Sequence, residues 1–183
     1  MVGKGRHSVL AVRSPDPVLA VVGAVGLAAV VGTGLVVDLP TDRSGGVRTL
    51  RDLARDGPSL AELSPSRRGV ALLRGGGVDE QTALDIIERL AERWPAVTVR
   101  VDRPQFPFPI VPVVPLYPSG LLPEPSETHC VWQPIGVGSD PPGPGPVMPR
   151  LRPSTLRRLL SLQMPRRSRW VEAWAPIWEM PWA

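Results

Sequence analysis

Val18-Leu19-Ala20-Val21-Val22-Gly23-Ala24-Val25-Gly26-Leu27-Ala28-Ala29-Val30-Val31-Gly32-Thr33-Gly34-Leu35-Val36-Val37 is a run of 20 residues without a charge, and its reading decides the fold. About 20 apolar residues is the length that crosses a hydrocarbon layer as one helix. Lys4, Arg6 and Arg13 precede the run and would hold its N-terminus inside. Three features favour a different division. Gly32-Thr33-Gly34 interrupts the run, Leu35-Val36-Val37-Asp38 reads as a buried strand ending in a carboxylate, and no Trp or Tyr marks either end. A cleaved signal peptide fits worse, because the apolar run is too long and starts too far in. The preferred reading is a helix, a glycine turn and a parallel strand; a single membrane span is the alternative.

The same alternation continues on both sides. Ser8 to Val12 is a first strand, closed by Arg13-Ser14-Pro15-Asp16-Pro17, with Pro17 suited to a first helical turn. After a loop over 39–46, Val47, Leu50, Leu53 and Ala54 keep helical spacing until Gly57-Pro58, and Ser59 with Glu62 makes a capping-box pattern. Val70 to Leu73 is a short strand ended by Gly75-Gly76-Gly77. The helix that follows carries Ala83, Leu84, Ile87, Leu90, Ala91 and Trp94 on one face and stops at Pro95. Val97 to Asp102 is a β-branched strand. Ile110 to Leu116 is another, placed at a sheet edge or in an extended arm because Pro112 and Pro115 forfeit ladder donors. This predicts an α/β fold, a three-layer, mostly parallel sheet flanked by helices, with a Pro-rich irregular region and a helical C-terminal tail. The expected divisions are 1–122 for the α/β domain, 123–153 for a Pro/Gly-rich linker or ordered coil, and 154–183 for the tail.

Composition narrows the chemistry. Of 24 prolines, 15 lie from Pro104 to Pro153, where backbone donors are repeatedly missing. The 20 arginines against one lysine are the pattern left by GC-rich coding rather than by selection for phosphate contacts. Residues 1–140 carry 14 basic and 15 acidic side chains and residues 141–183 carry 7 and 2, so the tail makes the protein basic and points to an acidic partner or surface. Cys130 is the sole cysteine and His7 and His129 are the sole histidines, which leaves almost no material for a disulfide, a zinc site or His-based catalysis. No metal or cofactor is expected.

In the tail, Ser154 or Thr155 caps a helix with Leu156, Leu159 and Leu160 opposite Arg157 and Arg158, ended by Pro165. Then Arg166, Arg167 and Arg169 stand beside Trp170, Trp174 and Trp178, which share a face at intervals of four despite Pro176. Three readings apply: the aromatics fold back as core, they dock on a partner protein, or they bind a membrane surface or nucleic acid. Nucleic acid is the weakest, since the cluster is short and its charge modest. Arg166, Arg167, Arg169, Trp170, Trp174 and Trp178 are the candidate partner-binding residues.

From Ser8 to about Leu122 the chain resembles the deviant-Walker ATPases of the MinD/ParA type. Leu35-Val36-Val37-Asp38-Leu39-Pro40 is similar to that family's second strand; Ala91-Glu92-Arg93-Trp94 and the strand to Asp102 look like its Walker B approach; Ile110 to Ser119 is similar to the strand after it. The resemblance implies a nucleotide cradle of glycines and a lysine after the first strand. Here that slot holds Arg13-Ser14-Pro15-Asp16-Pro17, where prolines lack the amide, Asp16 repels phosphate and no lysine follows, while Gly3-Lys4-Gly5 lies on the wrong side of the strand. Asp38 and Asp102 then become vestigial candidates with no phosphate-bound magnesium to organise, or plain strand ends. What the resemblance implies is a catalytically inactive cytoplasmic interaction or scaffold protein, with an active ATPase or a membrane-associated assembly as protein partner. A hydrolase or transferase using Asp38, Asp102, Ser14 or Ser119 lacks any nameable catalytic arrangement.

Overall fold

A computed structural model describes residues 8–41, 48–59, 69–117, 129–136, 141–164 and 167–182. The decisive run divides into α1 (Pro17–Ala29), a turn with Gly32 at φ 88°, and β2 (Thr33–Asp38). That φ lies in the left-handed region, which glycine enters without a Cβ clash. A helix of 13 residues is about 20 Å long. The single-span alternative is thereby corrected, and no helix among the described residues is long and apolar enough to cross a membrane.

Around this pair stand β1 (Val9–Arg13), α2 (Leu50–Asp56), β3 (Gly69–Arg74), α3 (Glu80–Ala91), β4 (Val97–Arg100), β5 (Ile110–Leu116), β6 (Val131–Pro134), α4 (Pro153–Leu160), α5 (Arg169–Glu172) and a closing 3-10 turn (Ala175–Glu179). The six strands form an all-parallel sheet in the order β3-β2-β4-β1-β5-β6. Side-chain caps start two of the helices, at positions the sequence reading did not name. Thr49 and Asp52 form a reciprocal capping box on α2, and Asp79 caps α3. The capping-box pattern at Ser59 and Glu62 falls partly outside the described residues.

Each face of the sheet carries its own core. Leu35, Val37, Val97 and Val99 pack against Leu50 and Leu53 of α2 and Ala83, Ile87 and Leu90 of α3. On the other face α1 covers Leu10, Val12 and Val36 and is itself covered by Leu159, Trp170, Trp174, Ile177 and Trp178. Helix α1 is therefore apolar on all sides because it lies between the sheet and the tail. Thr98 in β4 fastens it, donating its hydroxyl to Ala24 O at 2.9 Å inside the core.

Strand β5 corrects the edge placement, for it lies between β1 and β6. Ala11 N donates to Pro109 O and Ile135 N to Leu116 O, so odd-numbered residues of β5 turn their backbone groups to β1 and even-numbered ones to β6. Pro112 thus faces β6 one residue before its first partner, Val113, and Pro115 faces β1 beyond its last, Pro112. Staggered neighbours leave both prolines where no donor is wanted. The stagger also explains the helix-free link from β4 to β5: β4 ends opposite Val12 and β5 begins opposite Ala11, so the chain passes beneath β1 on Phe106 and Phe108.

Strand β6 is the element missed in sequence, inside the segment expected to be linker or coil. Its Val131, Trp132 and Gln133 are buried. The tail helix α4 begins two or three residues earlier than the Ser154/Thr155 cap implied: Arg152 is its N-cap, without a side-chain bond, and Pro153 its first residue. It ends at Leu160, before Pro165 is reached, because Leu162 adopts φ 54° and Gln163 N turns back to Arg158 O at 2.8 Å.

Candidate functional site

In an open α/β sheet, ligands bind outside the carboxyl ends of the strands, where chains leave for opposite faces. Here that place lies between β1 and β4, since β1 leads to α1 on one face and β4 to the Phe106–Phe108 link on the other. The loop from β1 to α1 is three residues long, Ser14-Pro15-Asp16. Asp16 Oδ1 accepts from Val18 N at 2.8 Å and Leu19 N at 3.0 Å, and Asp16 O accepts from Ala20 N at 2.9 Å. Pro17, at the first helical position, offers no donor. The amides that would face a phosphate thus already hold a carboxylate of the same chain. Gly3, Lys4 and Gly5, with Ser119, lie outside the described residues.

Asp38 and Asp102 are not brought together. Asp38, at the end of β2, faces the α1 side and is paired with Arg100 of β4, its register partner. Arg100 Nε donates to Asp38 Oδ1 at 2.5 Å and Thr41 Oγ1 to Asp38 Oδ2 at 2.7 Å, with Arg100 Nη2 reaching Thr41 Oγ1 at 3.1 Å. Both charged side chains are about one-seventh exposed, 14% for Asp38 and 15% for Arg100. The pair lies in a concavity closed by Leu159 and Leu162. Asp102 lies two residues beyond the end of β4, is exposed, and lines a different hollow beside Gly75, Gly77 and Arg103. Arg103 there bonds Glu80 at 2.7 Å. Sequence reasoning found Asp38 and missed Arg100, although both end neighbouring strands.

The three tail tryptophans are in the core, the first of their three readings, and none is exposed to dock on a partner. Trp170 and Trp174 meet edge to face at 5.4 Å and fit against Gly26 of α1, where a Cβ would stand 2.5 Å from Trp170 Cζ3 and 2.7 Å from Trp174 Nε1. Trp178 Nε1 donates to Leu27 O at 2.9 Å and Trp170 Nε1 to Gln133 Oε1 at 2.6 Å. Trp174 Nε1 is buried without a hydrogen-bond partner among the described residues. Three indoles share one side because α5 ends at Glu172 and the 3-10 turn redirects the chain before Trp178.

The arginines beside them have the opposite fate. Arg167 and Arg169 are exposed and, with Arg150 and Arg152, line a cavity of about 700 Å³. Arg166 lies outside the described residues. Elsewhere, Cys130 is buried and its thiol is pushed up to about 11 by that burial. The His129 and Trp182 rings meet tilted at 50°, with centroids 5.1 Å apart. Among the described residues no three His, Cys, Asp or Glu side chains gather as a metal site. The chain matches no family model, no curated protein and no solved structure.

Proposed function

We propose that this chain is a non-catalytic relative of the MinD/ParA-type P-loop ATPases, working as an interaction or scaffold protein without nucleotide turnover. The observation that carries the reading is Asp16 bonded to Val18 N and Leu19 N at the start of α1. A carboxylate held there takes the amide donors and the positive helix end that a phosphate would use. The Asp38–Arg100 pair supports it further, since a carboxylate bound to a guanidinium has no spare charge for magnesium. On this reading the compartment is the cytoplasm, and the partner is an active ATPase or a membrane-associated assembly.

The test is titration of the purified chain with ATP, with and without magnesium, together with a phosphate-release assay. The expected outcome is no hydrolysis and no magnesium-dependent binding at micromolar nucleotide. Magnesium-dependent micromolar binding that persists after Arg167→Ala and Arg169→Ala, or any turnover, overturns the reading.

A further inference from the structure

We propose that Arg150, Arg152, Arg167 and Arg169 form a binding site for a ligand carrying clustered phosphoryl groups. The four arginines come from two segments separated in sequence and line one concavity of about 700 Å³ together with Thr155 and Ser168. Among the described residues no acidic side chain lines it. None of the four arginines makes an ion pair or a hydrogen bond through its side chain among the described residues. Some arginines elsewhere are paired with carboxylates: Arg55 with Asp56 at 2.7 Å, Arg100 with Asp38 at 2.5 Å and Arg103 with Glu80 at 2.7 Å. Coding bias accounts for arginine over lysine, but not for four unpaired cations facing one hollow.

The cluster is also held in place. Gln133 is fully buried; its Oε1 accepts from Trp170 Nε1 at 2.6 Å and its Nε2 donates to Pro149 O at 3.4 Å. One side chain thereby ties the segment carrying Arg150 and Arg152 to the segment carrying Arg167 and Arg169. The backbone that carries the four arginines is thereby set before an anion arrives, which leaves only their side chains to order on binding. Helix α4 begins at this rim with Arg152 as an N-cap that makes no side-chain bond, which adds positive potential.

The geometry selects among anions. Planar guanidinium forks match phosphate oxygens two at a time, and several phosphoryl groups deliver several charges into one hollow, whereas peptide carboxylates arrive one per residue and diverge. Trp170 lines the cavity but is only 3% exposed, so no indole face is offered to a base. Recognition rests on the phosphates themselves. The ligand is a soluble polyphosphate or a multiply phosphorylated lipid headgroup, and this site is separate from the loop at Asp16.

The full chain is titrated calorimetrically with inorganic triphosphate, sulfate and an oligoglutamate, and sedimented with vesicles containing bisphosphorylated inositol lipid or phosphatidylserine alone. Triphosphate binding in solution supports a free ligand; sedimentation confined to the inositol-lipid vesicles supports a headgroup. Each of Arg152→Ala and Arg167→Ala weakens binding about tenfold, and Arg89→Ala, the same charge change at an exposed α3 position, leaves it unchanged. Equal binding of sulfate or oligoglutamate, equal loss in the α3 variant, or no binding in any arm overturns the proposal. Binding here is independent of magnesium, which separates this result from the test of nucleotide turnover.

Discussion

Trp170 and Gln133, 37 positions apart in sequence, meet through a 2.6 Å hydrogen bond from the indole Nε1 to the amide Oε1, with both side chains buried. The bond joins the tail to β6, and Gln133 extends the link to Pro149 O. A buried donor left without an acceptor costs about 1–3 kcal/mol, whereas removing both partners is nearly neutral. Gln133→Leu is therefore expected to lower the urea midpoint by that stability. Trp170→Phe in the same background is expected to add less than its separate effect, which a double-mutant cycle by urea denaturation measures.

Gly23 and Gly26 lie one turn apart on α1 and predict opposite outcomes. At Gly26 an added Cβ falls 2.5 Å from Trp170 Cζ3 and 2.7 Å from Trp174 Nε1, both in a packed core; at Gly23 the nearest atoms are Val12 Cγ1 at 3.3 Å and Trp174 Cη2 at 3.5 Å. Alanine raises helix propensity by about 1 kcal/mol at either site. Overpacking at position 26 opposes that gain and wins, so Gly26→Ala destabilises by about 2 kcal/mol. Gly23→Ala stays within about 1 kcal/mol of the parent. Thermal unfolding of the two variants compares them directly.

These glycines show what a sequence carries and what it leaves out. The glycine turn at 32–34 and the carboxylate at Asp38 are local signals, and they divided the uncharged run into helix and strand. Why that helix is apolar all round was not legible, because its cover comes from Trp170 to Trp178, more than 140 positions away in the chain. Proline counting placed β5 at an edge, since the stagger that excuses Pro112 and Pro115 belongs to its neighbours and not to β5 itself. For the site, the loss of amides around Pro15 and Pro17 and the negative charge of Asp16 were readable; the capping of α1 by Asp16 was missed. The arginine cavity was not, because half of it sits in the segment around Pro149 that composition alone describes as coil.

The Asp38–Arg100 pair is mostly shielded from water, so its two members are expected to be coupled strongly. Arg100→Met strips Asp38 of its counter-charge and costs about 2 kcal/mol, less than a fully buried pair loses because some solvent remains. Changing Asp38→Leu in the same chain removes the stranded carboxylate and restores part of that loss. Chemical denaturation of the three variants gives the coupling, and simple additivity would show that the pair contributes nothing together.

Cys130 predicts a dependence on alkaline pH. Its thiol titrates at about 11 when folded against the ordinary 9.0, because burial disfavours the thiolate. The unfolded chain therefore gives up its proton first. Stability attributable to this group is complete below pH 9 and falls as pH rises toward 11. Cys130→Ser in parallel isolates the effect. At pH 8 the native thiol is expected to resist alkylation that proceeds readily in denaturant, monitored by mass spectrometry.

Asp16 separates capping from charge. Asp16→Ala removes the acceptor for Val18 N and Leu19 N and is expected to cost about 1 kcal/mol in thermal or urea unfolding. Asp16→Asn keeps an oxygen in the same place and is expected to fold almost as stably as the parent, although the negative charge is gone. Neither variant acquires magnesium-dependent ATP binding, because Pro15 and Pro17 still lack amide donors and no lysine follows β1 in the sequence. If Asp16→Asn alone conferred such binding, one carboxylate would have been the whole barrier and the rest of the loop would be competent; nucleotide titration of the two variants decides between these outcomes.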